Sequence, residues 1–447
     1  MKYISLVLTL LLLGSLYAVA PYVPYTVLAE DFGSNTCGGC VVAWEGLQVP
    51  LSNTHNGEFI LAKLYTQSPG LTSPIVLDRF DYYEVIGLPA VIFNGKIRVN
   101  GSGEGIADGS LYNAAINQFR YSSSPLSMNV TNFSTTTGAF SGNIVKVSPA
   151  VELPGAKVVY YLLEDNISAA ETKVVRSILY EDLNLTDVRS SFNFSKTFTI
   201  DPTWNPANLW AIATVQLPDK AIVQSVSTLP QPTHNLRAAM DWNNNIIGLP
   251  NIDYLSQPFW VFNQGVADNY TMHIEVDSAP DGWYFNYCDE EGGCYTGSMD
   301  VPLILGAGET TAFHLNLIIG DAGVANFRFV ISSPNLGSYS IPFRYAMEGS
   351  ANSDDVLVEM PLQLGSMYPN PVNASAALTL RSNKNVAVAN IDVFNIKGQK
   401  VQSLSARNLV QGDNSISFSP ASSLPNGIYF YKLSGSDAPA LKFILLK

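Results

Sequence analysis

Thr36-Cys37-Gly38-Gly39-Cys40 is the stretch on which the fold turns. A strand-like run, Tyr25 to Phe32, precedes it, and a helix-like run, Val41 to Val49, follows. Two cysteines separated by two residues can close a tight disulfide or open to a dithiol. A sulfur at a helix N-terminus meets unpaired N–H groups and the positive end of the helix dipole, and both favour the thiolate. The same spacing also supplies half a zinc site. Zinc needs two further ligands, and the nearest is a lone His55. Gly38 and Gly39 relax the turn and bring no charge to the sulfurs. The sequence identifies no buried acid to assist proton transfer.

Working outward, Tyr25, Val27 and Ala29 share one strand face. Val41, Val42, Trp44 and Leu47 come at spacings that put several apolar groups on one helix face. Phe59 to Tyr65 is almost continuously apolar, as a central strand buried on both faces should be. Asp78 to Tyr83 reads as helix, and Arg79, Tyr82 and Tyr83 are expected to pack on the sheet with the tyrosine hydroxyls at the surface. Gly87-Leu88-Pro89 leads into the strand Ala90 to Phe93, Asn94-Gly95 makes a hairpin turn, and Lys96 to Val99 returns. Leu111 to Tyr121 is a further helix.

This order resembles the thioredoxin fold. The paired tyrosines, Gly87-x-Pro89 and Phe93-Asn94-Gly95, with the later run Asn208 to Val226, resemble the Omp28-related outer-membrane proteins, which join a thioredoxin-like domain to a β domain. The resemblance implies that Cys37 attacks, that Cys40 resolves from a more buried position, and that Pro89 is a cis-proline facing the dithiol. It leaves two uses open: thiol exchange with exported substrates, or a disulfide that locks a binding scaffold. The chain departs from the thioredoxin pattern at Thr36, where a Trp is usual, and at the Gly pair.

The 447 residues suffice for about three domains or more. Hydrophobic residues make up 47% and charged residues only 14%, which suits an extracytoplasmic β-rich protein. The net charge of −13, with no basic patch, argues against nucleic acid as a partner. Met1-Lys2, the apolar run Ile4 to Ala20 and the small residues Ala18 and Ala20 read as a signal peptide over residues 1–20. Export makes disulfides the default for both cysteine pairs, and Cys288 and Cys294 are expected to close a small acidic loop. That loop has too few oxygen ligands for calcium. No cofactor and no metal site are expected, and no Ser/His/Asp arrangement supports a hydrolase.

The expected architecture is an α/β thioredoxin-like domain over 21–122, followed by three mostly-β sandwich domains. The first spans 126–229, where Phe192, Phe194, Phe198 and Ile200 alternate with polar residues. The second, over 233–360, has the strand pattern of an immunoglobulin-like sandwich. The last covers 362–447. There, Tyr368-Pro369-Asn370-Pro371, Val393 to Gln399 with a turn at Lys397-Gly398, and Gly427-Ile428-Tyr429-Phe430-Tyr431 resemble the type IX secretion C-terminal sorting domain. That resemblance implies the type IX machinery as partner, and a secreted or outer-membrane surface location reached through the periplasm.

Overall fold

The computed structural model describes residues 20–447, except 150–151, 169–170, 250–251, 321, 348–361, 369, 383–385, 396–398, 411 and 435–440. The expected signal peptide, up to residue 19, and the expected turn at Lys397-Gly398 lie outside the described residues. The protein is a mostly-β multidomain chain that opens with a mixed α/β sheet of thioredoxin-like form. It divides into two compact units, residues 1–350 and 351–447.

In the first unit, strand Val27–Gly33 lies parallel to Phe59–Tyr65 and antiparallel to Ala90–Phe93, which pairs in turn with Ile97–Asn100. Helices α1 (Gly38–Asn53) and α3 (Ser110–Asn117) cover one face, over Val27, Ala29, Leu61, Val91 and Phe93. Helix α2 (Pro74–Tyr82) covers the other, over Leu28, Phe32, Ile60 and Leu64. The parity of each strand therefore decides which helix a side chain meets. Asn94 and Gly95 both take positive φ, 47° and 70°, as a tight hairpin turn requires.

This sheet continues. Val174–Asp182 joins Phe59–Tyr65 in parallel at Val174–Lys63, and Lys157–Glu164, Leu209–Gln216 and Ile222–Ser227 extend it to eight strands. A three-stranded sheet (Leu126–Phe133, Ala139–Lys146, Ser191–Thr197) closes over the far half, with Phe140, Tyr160, Leu162 and Phe194 in the shared core. The strands after Pro232 form a second sandwich. Its six-stranded sheet includes Phe259–Asn263 and Thr310–Ile318, and its five-stranded sheet includes Asp268–Ser278 and Val324–Ser333. Phe259, Phe313, Phe329 and Phe343 meet between them.

The second unit has a core of its own. A three-stranded sheet with Ala376–Ser382 at its centre and a four-stranded sheet built on Val386–Asn395 and Gly427–Leu433 enclose Leu378, Ile391, Val393, Tyr431 and Phe443.

Candidate functional site: the dithiol at the head of helix α1

Helix α1 starts immediately after Cys37. That residue is the N-cap, and its Sγ accepts the Cys40 backbone N–H at 3.1 Å. Cys37 and Cys40 are joined as a disulfide, with Cα atoms 5.3 Å apart. The helix begins three residues before the expected Val41 because Gly38-Gly39-Cys40 form its first turn. It also runs through Pro50 to Asn53. The face it buries is Ala43, Gly46, Leu47 and Pro50, so of the expected apolar positions only Leu47 is buried, Val42 and Trp44 are half-buried and Val41 is exposed. Cys37 and Cys40 are both half-buried.

Three elements close around the pair. Gly33, the last residue of its strand, lies beneath Cys40: a Cβ there would stand 3.7 Å from Cys40 Sγ. Pro89 and Ser102 pack on Gly39, where a Cβ would meet Pro89 Cδ at 3.3 Å and Ser102 Oγ at 3.1 Å. The Leu88–Pro89 peptide is cis. On the surface beside it, Val41 is exposed and Ile86 is 99% exposed.

The sheet face beneath α1 carries a charged pair that the sequence did not disclose. Asp31 and Lys63 face each other in register on adjacent strands and are 4% and 6% exposed. Both point to the α1 face, because Asp31 shares parity with Gly33 and Lys63 shares parity with Leu61 and Tyr65. Burial raises the Asp31 carboxyl to about 6, and the Lys63 ammonium partly opposes that rise. Burial likewise lowers the Lys63 ammonium. The Lys63 Nζ stands 3.9 Å from the centre of the Trp44 ring on α1. The signal for this pair was two charges at helix-facing positions inside apolar strand runs.

On the opposite sheet face a second buried network corrects the reading of the tyrosines. Tyr83 is 1% exposed, and its hydroxyl donates to Glu30 Oε2 at 2.6 Å. Arg79, also 1% exposed, binds both Glu30 oxygens at 2.7 and 3.0 Å and Gln216 Oε1 at 2.7 Å. Tyr161 donates to Glu30 Oε1 at 2.9 Å. Only Tyr82 keeps a partly exposed ring. The hydroxyl of Tyr83 turns inward because Glu30, buried in the strand, has to be paired.

His55 lies beyond the C-terminal end of α1, roughly 24 Å from Cys37 by the rise of a 16-residue helix. It stands 3.8 Å from Glu58, which also binds Arg120. Cys288 and Cys294 are a disulfide between facing strands. The carboxylate of Asp289 in that loop is used internally, accepting Gly293 N–H at 2.7 Å and the Tyr295 hydroxyl at 2.9 Å.

Residues 366–447 match the secretion system C-terminal sorting domain. No curated protein matches the chain. Among solved structures, HBP35 of Porphyromonas gingivalis is similar at 13% identity, covering 73% of this chain and 99% of that one, with a TM-score of 0.39. Dimeric latent PorU from Porphyromonas gingivalis is also 13% identical, covering 72% of this chain and 34% of that one, at a TM-score of 0.20. The secreted serine protease VesC from Vibrio cholerae is 8% identical over 60% of this chain and 67% of that one, at a TM-score of 0.22.

Proposed function

We infer that the sorting domain directs the chain to the cell surface or the extracellular space, with the type IX secretion machinery as the partner it implies. We propose that the exported chain is a thioredoxin-like protein that exchanges thiols and disulfides with exported substrates through Cys37 and Cys40, in the manner expected of an Omp28-related protein. The observation that carries this reading is Cys37 at the N-cap of α1, a helix that packs on the sheet face bearing the buried Asp31–Lys63 pair.

A substrate thiolate attacks Cys37 Sγ, breaks the Cys37–Cys40 bond and forms a mixed disulfide. Cys40 leaves as a thiolate and takes a proton, for which the proposed donor is Asp31, on the sheet face that meets α1, its carboxyl raised by burial to about 6. A second substrate thiolate then attacks the substrate sulfur of the mixed disulfide and releases Cys37 as a thiolate, stabilised by the first-turn N–H groups. The substrate dithiol loses two electrons and the Cys37–Cys40 pair gains them. The reverse sequence reduces a substrate disulfide. Pro89 is the residue proposed to border the substrate, beside the exposed Ile86.

Cys40→Ser tests the proposal. That variant should accumulate mixed disulfides with exported proteins through Cys37, and Cys37→Ser should lose both the adducts and insulin-disulfide reduction. Undiminished insulin reduction by Cys37→Ser would overturn the reading.

The alternative is a disulfide-locked scaffold whose β domains make the contacts. It is favoured by the buried ionic joints that tie the first segment to the later strands: Glu30–Arg79 with Gln216, and Glu58 with Arg120 and Arg237.

A further inference from the structure

A cleft of about 810 Å³ opens in the first unit between the C-terminal end of α3 and the five-stranded sheet of the second sandwich. The volume falls in the range of small-ligand sites, and the place, between packed substructures, is where such sites recur. No step of the thiol chemistry uses it.

The lining is specific in kind. The half-buried indole of Trp242 forms part of the wall. One of its faces is stacked on Phe343 at 5.8 Å and 19°, and its Nε1 donates to the Pro258 carbonyl at 3.1 Å. The ring is therefore fixed from behind and at its edge before any ligand arrives. Around it stand exposed carboxamides of Asn117, Gln118 and Asn245, none with a side-chain partner among the described residues.

The charges in the cleft balance. Arg328 is held by Asp277 at 2.7 Å within the lining, and from outside it by Glu275. Asp241 and Arg344 add one charge of each sign. Such a wall has no preference for a polyanion or a polycation. A fixed aromatic plane with amides that both donate and accept, at no net charge, fits a ring that has an apolar face and a rim of hydroxyls.

We infer that this cleft binds a neutral oligosaccharide, with one pyranose ring stacked on Trp242 and its hydroxyls met by Asn117, Gln118 and Asn245. The role is independent of Cys37 and Cys40, so an exported chain would carry a glycan-binding surface in addition to its dithiol.

The test uses the full mature chain and calorimetric titration with hexasaccharides of β-glucan, α-glucan, xylan, mannan and chitin. At least one should bind, and Trp242→Ala should weaken that binding by about tenfold, the equivalent of one lost aromatic contact. Because Trp242 also supports Phe343, Gln118→Ala and Asn245→Ala serve as second variants: both positions are exposed, so binding should fall several-fold with an unchanged circular dichroism spectrum. Absence of binding across the panel would overturn the inference. So would binding that all three variants leave intact.

Discussion

Asp31 lies six residues before Cys37 in the chain and on the same sheet face as Gly33, which lies beneath Cys40. Its carboxyl is raised by burial to about 6, against about 3.9 for an unfolded chain. Between those values the folded protein holds a proton that the unfolded chain has released. Stability therefore falls as pH rises through that window, by at most about 3 kcal/mol. Asp31→Asn removes this dependence. Its unfolding free energy relative to the parent should climb by up to about 3 kcal/mol between pH 4 and pH 7, as read by urea titration at each pH. A difference that stays flat with pH would show that Asp31 does not titrate there. The residue was missed because it stands one position before the expected end of the strand at Phe32, where an aspartate reads as solvated. The strand runs on to Gly33 and takes the carboxylate inside. Cys37, Cys40 and Pro89, by contrast, could be picked out from spacing and family pattern, because tight turns and helix starts leave local marks.

At the scale of elements, α1 is held to its neighbours by the absence of a side chain. A Cβ on Gly46 would overlap the Ile106 carbonyl oxygen and crowd the Tyr112 ring. Helix propensity alone favours alanine by about 1 kcal/mol. The close approach outweighs it, since the added carbon would meet backbone, the Ile106 carbonyl, and overpacking costs about 1–3 kcal/mol. Gly46→Ala should therefore unfold at lower urea than the parent. Gly38→Ala, where nothing stands within 4 Å of the added carbon, should not. Equal midpoints for the two variants would contradict this packing. Periodicity made α1, α2 and α3 legible, and Asn94-Gly95 marked its hairpin. The end of α1 was not legible, because Pro50 reads as a stop, whereas the structure places it in the helix interior.

For the whole molecule, period-two alternation located most strands but could not pair them. Nothing in the local pattern of Lys157–Glu164 or Leu209–Gln216 indicates that they extend the sheet of the first segment, since that junction is made by one register pair, Val174–Lys63, far apart in the chain. Glu30, Arg79, Tyr161 and Gln216 fix the same junction from below. The sorting segment was legible because its family pattern is compact and contiguous. It encloses its own core, separate from the cores of the first unit. Deleting residues 362–447 should therefore leave the first unit folded and hold it in the periplasm of the host, measured by cell fractionation with a protease-shaving control. A truncated chain that still reached the surface would contradict the sorting role.

The central claim concerns the sulfurs, and the reduction potential of the Cys37–Cys40 pair in the mature protein, read by thiol trapping at each redox poise, tests it most directly. The account predicts a value among exchange-active proteins, roughly −120 to −270 mV, with Cys37 trapped first. A value below about −300 mV, with Cys37 protected from the trapping reagent, would contradict it and identify the disulfide as a lock.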